Sequence, residues 1–544
     1  MTSTLFTKPD CPFCIKAKRA LGNASISFEE RDVTSSQRTA DESVYFSGVS
    51  TVPQLFVGKT HVNGSDDISA FAKADRFGRI DGDDGLPRDL AEEDLHEGAQ
   101  DIILANLIPV SDGIHTTDTE QYALLHFYKE FFGFWPNTFA YLHHWSEAYK
   151  LFVYCHNFAA VSSGKKVLGA PVMLAVGFAT SNAHGCDYCQ VHATNTGGDM
   201  ALGIGKMVDL ARKGQAPDDS PIGPYELALC DLAGEATTNS VSKRTLAAIR
   251  KLAPEARVSH AGAEANIEAV SMIVSAFGLL NVFNDLIGVP VESQWASRAE
   301  TVGVGTGRHG DDGGRTIGNL DHDLPQGGPT MDELSLRYAA LVEAGGGWKD
   351  YALAELGIVP TWFETWPEAS RAHHVYLYTE LMQNRTHGKV AGRLKHLMAR
   401  VSAIATGHDE LAAIEAMMAH ESGATIEQVA NAYEAAKGRL DGSLFDAAET
   451  AALRFSWASA QQPLTMIRHV IQPALDAFDS ETLVHLATVC GIAGLVQRFS
   501  AVARPRSSAD VNAFMKRHGL ERDTFILRLG FAEHPSAQSV EAGA

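Results

Sequence analysis

Cysteine is scarce in this chain, seven in 544 residues, and the count is odd. So sparse a supply excludes a secreted scaffold stapled by disulfides, which compensates for a small core with dense cross-links. Positive charge is also short: 45 basic residues stand against 66 acidic ones, for a net charge of −21. Nucleic acid and anionic membrane surfaces both call for basic patches, so neither is expected as a partner. Long apolar runs are missing too. The best of them, MIVSAFGLLNVFNDLIGV at 272–289, is broken by Asn281, Asn284 and Asp285, and falls short of the ~20 residues of a membrane span. The opening residues, MTSTLFTKPDCPFC, lack the charged-then-apolar layout of a secretory leader. A reducing cytoplasm is the expected compartment.

Against that scarcity, four of the seven cysteines fall into two C-x-x-C pairs, Cys11/Cys14 and Cys186/Cys189. The chain is too long for one core and is expected to divide. Residues 1–80 read as a small α/β unit. STLFTKPDCPFCIKAKRAL gives a strand, a turn and a helix opening at Cys11, with Pro12 in the first turn and Ile15, Ala17, Ala20 and Leu21 at helical spacing. A thiol at a helix start has its thiolate favoured by free N–H groups and the helix dipole, and Lys8 adds charge. ISFEERDV and VPQLFVG read as further strands, and DDISAFAKA as a closing helix.

Through TKPDCPFC, TVPQLFVG and NGSDD this segment resembles glutaredoxin. The resemblance implies a thioredoxin-like fold, a cis Pro53, Cys11 as exposed nucleophile and Cys14 as resolving thiol. It also implies a glutathione cradle of Lys8, Phe13, Val52, Pro53, Gly64, Ser65 and Asp66, with Asn63 where the family usually has a first glycine. A structural zinc site is the other reading of the pair, without a matching second pair at zinc-like spacing.

Residues 81–120 are acidic and broken (GRIDGDDGLPRDLAEEDLHEG) and read as a linker with a short helix. Beyond it helical patterns dominate, interrupted at 294–330 by a glycine-rich stretch read as a second linker. The two blocks it separates, 121–293 and 331–506, look like copies. GFWPNTF recurs as GIVPTWF, Gly164–Lys165 as Gly388–Lys389, ELALCDLA as ETAALRFSWA, and Phe283 answers Phe499. Residues 507–544 are left as a C-terminal extension. Only the first copy carries thiols: Cys186, Cys189 and His192 align with His408, Leu411 and Ile414. The second copy is expected to serve packing, with a divergent site at His408, Asp409 or Glu410 as the alternative.

GAPVMLAVGFATSNAHGCDYCQVHATNTG reads as helix, bend at His184–Gly185, and second helix from Cys186, with Cys189 and His192 on one face. A thiolate with an imidazole one turn on is a nucleophile–base pair, although two cysteines and a histidine also suit a metal if a fourth ligand exists. Cys155, Cys230 and Cys490 read as buried small apolar residues. YLHHWSEAYKLFVYCHNF at 141–158 reads as core or as pocket lining.

GCDYCQVH, GFWPNTF and FGLLNVFNDLIGVP resemble the AhpD-like alkylhydroperoxidase branch of the carboxymuconolactone decarboxylase superfamily. The resemblance implies two all-α domains, Cys189 as peroxide-attacking thiolate, Cys186 as resolving thiol and His192 as base. The branch's relay glutamate and a second histidine position are occupied here by Leu174 and Ala193, with His184, Glu147 and His156 as stand-ins. The expected protein is thus a glutaredoxin domain fused to a duplicated helical body. It would pass electrons from glutathione through Cys11/Cys14 and Cys186/Cys189 to a hydroperoxide, without metal or tightly bound cofactor, as a trimer or a monomer. Other redox or C–S and C–X bond-cleaving chemistry, a cofactor-free decarboxylase or isomerase, and a redox-sensing interaction module are the alternatives.

Overall fold

The computed structural model describes residues 3–58, 60–73, 85–111, 136–314, 330–383, 388–440, 442–464, 466–521 and 524–528. The expectations for 81–84, 112–135, 315–329 and 529–544 lie outside the described residues.

The N-terminal unit runs β1 (Ser3–Thr7), α1 (Pro12–Asn23), β2 (Glu29–Asp32), α2 (Gln37–Ser47), β3 (Gln54–Val57), β4 (Thr60–Asn63) and α3 (Gly64–Lys73). The sheet order is β2-β1-β3-β4, with β1 parallel to β2 and the other pairs antiparallel. Leu5 pairs with Leu55, and Leu55 with Val62, so the alternation of these short strands sends one apolar row to one face. There it meets Ala17 and Leu21 of α1 and Ile68 and Phe71 of α3. This is the thioredoxin-like α/β arrangement.

After α4 (Glu92–Gly98) the chain is helical. The first half contains α5 (Asn137–Leu142), α6 (Ser146–Asn157), α7 (Ala170–His184), α8 (Asp187–Asn195), α9 (Ile204–Arg212), α10 (Pro224–Thr237), α11 (Lys243–Leu252), α12 (Ala263–Ile287) and α13 (Ser293–Glu300). Next come α14 (Met331–Ala344), α15 (Trp348–Leu356), α16 (Thr361–Thr365), α17 (Glu368–Gln383), α18 (Gly392–Ala405), α19 (Asp409–Glu421) and α20 (Ile426–Ala436). The chain closes with α21 (Ala447–Ser459), α22 (Arg468–Ala477), α23 (Ser480–Ala503), α24 (Ala509–Arg517) and α25 (Thr524–Arg528). The order of the α-helices α5 to α12 recurs as α16 to α23, down to Pro136 and Pro360 preceding the first helix of each set, with a π-helix at Phe158–Leu168 added between α6 and α7.

α12 and α23 form the spine. By length and mean hydropathy (1.7 and 1.5) each is apolar enough to cross a membrane, more than the broken run at 272–289 led one to expect, because Asn and Asp are too few to lower the average. Both are 89% buried inside the body over that window. They meet at Gly278 and Gly494, where a Cβ on Gly278 would stand 2.6 Å from the Gly494 carbonyl oxygen.

The stretch expected to be an acidic linker is packed where it is described. Ile102, Leu104 and Ile108 are buried in the helical core. Backbone bonds Ile102 N to Met466 O (2.7 Å) and Arg468 N to Gln100 O (2.8 Å) fasten it to the start of α22. The small domain is held by the second half: Tyr45 stacks on His469 at 4.0 Å, and Asn63 Nδ2 donates to Gln461 Oε1 (3.3 Å). From the C-terminal segment Arg528 pairs with Asp67 at 3.2 Å.

Adding a methyl at the helix crossing tests the spine. Gly278→Ala should destabilise the protein by about 1–3 kcal/mol, the usual cost of forcing volume into a packed core, read as a lowered thermal midpoint. An unchanged midpoint would mean the two helices do not meet backbone to backbone.

Candidate functional site

Cys11 caps α1, and its sulfur accepts the Cys14 N–H at 3.2 Å. Burial pushes the Cys11 thiol up, but hydrogen bonds from the Cys14 side chain and the backbone of Cys14 and Phe13, with Lys8 nearby, bring it below the usual thiol value. Cys14 goes the other way, pushed up to about 11 by burial and by Cys11. The pair is therefore split into a more acidic and a less acidic thiol. One expectation is corrected here: Cys11 is only 4% exposed, while neighbouring Phe13 is 61% exposed. The other expected cradle residues lie on two more loops. Val52–Pro53 is cis, and Pro53 O accepts from Gly64 N at 3.2 Å, tying that loop to the start of α3. Ser65 is buried there and Asp66, exposed, pairs with Lys16.

The second dithiol sits where α7 ends. Gly185, at φ +95, turns the chain, and Cys186 caps α8 with its sulfur accepting Cys189 N at 3.4 Å. Both thiols are buried. Burial drives Cys186 well above the usual thiol value, reinforced by Cys189 and the charge of Asp285. Cys189 Sγ accepts from Asn284 Nδ2 at 3.4 Å, and Thr138 Oγ1 holds that amide through its oxygen at 2.7 Å.

His192 finds its carboxylate elsewhere than in the three stand-ins. Its Nε2 lies 2.7 Å from Glu292 Oε2, while the other oxygen of Glu292 accepts from Tyr188 OH (2.9 Å) and Asn137 N (2.5 Å). Glu292 is fully buried, and the His192 ring stacks on Tyr188 at 4.2 Å. His156 does line the neighbouring cavity, where burial lowers it to about 4. That cavity, about 90 Å³, is walled mainly by apolar side chains including Phe139, Ile273 and Phe277. Cys189 and His192 reach it and Cys186 does not. Leu174 and Ala193, the two positions where the expected relay was missing, are also in its wall.

Behind the dithiol, Asp285 joins two histidines. Its Oδ2 is 3.3 Å from His184 Nε2, and its Oδ1 is 2.9 Å from His309 Nε2. Burial would raise the Asp285 carboxyl, yet the two histidines hold it far below the carboxylate range. Its contribution to stability is thus complete above about pH 4 and is lost only in stronger acid. Arg498, on α23 in the second half, donates from Nη2 to His184 Nδ1 at 2.8 Å. Burial lowers that guanidinium to about 10, against the opposing charges of Cys189, Cys186 and Asp285. The second half therefore does more than pack, and the stretch expected as a glycine-rich linker delivers His309. Gly307 makes this possible: at φ +52 it lies so close to Asp187 that a side chain would collide.

Arg498 and His184 also border a polar cavity of about 340 Å³. Across it stand Asn63, Gly64, Ser65, Asp66 and Asp67 of the small domain, with Gln461 and Gln462 between. In the second half, His408 takes the capping position of Cys186, with Leu411 and Ile414 buried behind it. Asp409 and Glu410 are engaged by Thr524 N and by Ser507 and Arg506, so they anchor the C-terminal segment. Cys230 and Cys490 are buried and pushed up to about 12, and Cys155 is raised by burial as well.

The glutaredoxin family profile matches residues 4–62. Glutaredoxin 3 of Escherichia coli (strain K12) is 36% identical over 66 residues, 12% of this chain and 80% of that protein. The chain belongs to the glutaredoxin family through its N-terminal domain. A glutaredoxin of Pseudomonas aeruginosa is 35% identical over 73 residues, 13% of this chain and 87% of that protein. The hybrid peroxiredoxin hyPrx5 of Haemophilus influenzae is 44% identical over 68 residues, but the match spans 12% of this chain and 28% of that protein and falls in the glutaredoxin part. No solved structure matches the chain. A glutaredoxin domain implies thiol–disulfide oxidoreductase chemistry linked to glutathione.

The split thiol environments give a pH-dependent test. Only thiolates alkylate, so in the reduced protein iodoacetamide should label Cys11 at pH values below those that label an ordinary thiol, and Cys14 only as pH approaches about 11. Cys186 should stay unlabelled at neutral pH. Peptide mapping that finds Cys11 and Cys14 labelled together would contradict this assignment.

Proposed function

We propose that the chain is a glutathione-fed thiol oxidoreductase in which Cys11/Cys14 re-reduce Cys186/Cys189, and that Cys189 reduces a small apolar oxidised substrate, an organic hydroperoxide by resemblance to the AhpD-like enzymes. The observation that carries the reading is a polar cavity lined both by the small domain and by residues behind the second dithiol. On one wall are the glutaredoxin residues Gly64, Ser65 and Asp66, and on the other His184 and Arg498, which lead to Asp285 beside Cys186. The apolar cavity meets Cys189 from another set of residues. Substrate and reductant then approach the dithiol by separate routes.

Cys189 thiolate attacks the terminal oxygen of the hydroperoxide. The O–O bond breaks, the departing alkoxide takes a proton through His192, and Cys189 becomes a sulfenic acid. Glu292 keeps the imidazole oriented. Cys186 attacks that sulfur, water leaves, and a Cys186–Cys189 disulfide forms. The Cys11/Cys14 dithiol reduces it by exchange, and two glutathione molecules restore that dithiol as glutathione disulfide. Carrying both centres on one chain gives the second an effective concentration of order mM. Thiols held reduced in this way suit a reducing compartment.

Three variants test the relay. Cys189→Ser should abolish hydroperoxide turnover, whereas Cys186→Ser should leave a sulfenate or glutathione adduct on Cys189, visible by mass spectrometry. Cys11→Ser should remove turnover driven by glutathione and spare turnover driven by dithiothreitol. Adducts accumulating on Cys186 in Cys189→Ser would reverse the thiol roles, and equal loss with both reductants would refute electron delivery by the small domain. A Glu292→Gln change should lower turnover by ~10–100-fold, the range for an orienting partner of a functional histidine, with the fold intact by circular dichroism.

A further inference from the structure

Cys186, Asp285 and His309 converge on the side of the dithiol away from the apolar cavity. One donor atom of each lies within 4.8 Å of the other two, and all three residues are buried. The proton positions narrow what this cluster is for. His309 Nδ1 is 2.9 Å from Val289 O. A carbonyl only accepts, so Nδ1 carries a proton and the neutral ring turns its Nε2 lone pair toward Asp285 Oδ1, 2.9 Å away. In the neutral ring two acceptors face each other there, with the Cys186 thiol alongside. The contact needs either an extra proton or a cation among them.

His184 is fixed in the opposite sense. Arg498 donates to its Nδ1, so its Nε2 carries the proton and stands 3.3 Å from Asp285 Oδ2, out of line for a hydrogen bond. His184 thus faces Oδ2 and leaves Oδ1 to the other side of the cluster. A ring N–H held by a backbone carbonyl, as at His309, is an outer contact that steers metal ligands. On binding, the Cys186 thiol gives up its proton, and the resulting thiolate, carboxylate and neutral imidazole carry two negative charges that a divalent cation cancels.

We propose that Cys186, Asp285 and His309 form a binding site for a borderline divalent transition ion of the zinc type. Three protein ligands of sulfur, oxygen and nitrogen leave a fourth position for water, as in open tetrahedral zinc sites. With bonds of about 2.0–2.3 Å, tetrahedral donors stand about 3.3–3.8 Å apart, so loading opens the 2.9 Å Asp285–His309 contact by about 0.4 Å to admit the ion. The site stands on this geometry and does not need the peroxidase reading. Where that reading holds, the ion occupies the resolving thiol, and a filled site halts the dithiol cycle until the metal leaves.

The test uses the full, reduced chain carrying Cys11→Ser and Cys14→Ser, which removes the other thiol pair, and cobalt(II) as the spectroscopic probe. One equivalent should give a near-ultraviolet thiolate-to-cobalt band with the visible bands of four-coordinate cobalt, and zinc(II) should displace it. The charge-transfer band should vanish in Cys186→Ser and persist in Cys189→Ser. Asp285→Asn and His309→Gln, checked for fold by circular dichroism, should each weaken binding at least 10-fold, from the known sensitivity of metal affinity to lost partners. Absence of the band at stoichiometric cobalt would overturn the site. So would a band that survives Cys186→Ser, one lost in Cys189→Ser (binding by the thiol pair alone), or one unchanged in whichever of the Asp285 and His309 variants is folded. These readings are independent of turnover, so failure of the metal site and failure of the redox relay are distinguishable.

Discussion

The close crossing of α12 and α23 sets the position of nearly everything else. Gly278 and Gly494 let the backbones approach until one helix meets the other's carbonyl groups, and Ser275 Oγ bonds across to Leu495 O at 3.1 Å. One turn beyond Gly494, Arg498 bonds the Phe277 carbonyl on α12 at 3.1 Å and reaches on to His184. One turn or two beyond Gly278 on the other helix, Asn284 and Asp285 meet the two thiols. A side chain at either glycine would separate both sets of contacts together.

The two dithiols solve the same electrostatic problem differently. Each places its first cysteine at a helix start, with the sulfur accepting the N–H of the second. In the small domain the cap and Lys8 outweigh burial, and the first cysteine becomes the acidic one. In the helical body burial is complete, a carboxylate lies alongside, and the first cysteine is pushed well above the usual thiol value. The same local motif thus yields an acidified thiol at Cys11 and a thiol of raised pKa at Cys186, and in the helical body the second cysteine is the one that reaches the apolar cavity.

Much of this was legible in the sequence. The strand–turn–helix at Cys11 and the bend at His184–Gly185 are local signals of capping and turn, and these carry in a single chain. The partners of the thiols were not legible, because they come from distant segments. Glu292 and His309 follow a helix end and a glycine-rich stretch, and Arg498 lies in an otherwise apolar helix of the other half. One clue was present: Asn281, Asn284 and Asp285 interrupt the most apolar run in the chain, and a buried helix tolerates such residues only when they find partners. Asn281 accepts from Ser181, Asn284 holds Cys189, and Asp285 joins His184 to His309. The acidic stretch after the first domain misled for the converse reason. Its charge suggests solvent, yet Ile102, Leu104 and Ile108 are spaced among the polar residues and pack inward.

The clasp around the small domain bears on biosynthesis. Its sheet and core are complete once the first ~75 residues exist, so it folds first, as N-terminal domains do on the ribosome. Its docking partners, His469, Gln461 and Arg528, lie roughly 390–450 residues further along the chain. At ~5–20 residues per second the interval is tens of seconds, during which a folded dithiol domain exists with nothing seated against its His61–Asn63 strand or Asp67. The nascent chain thus passes through a free glutaredoxin before becoming a docked one, and its partner choice narrows only when those distant residues have been made and folded.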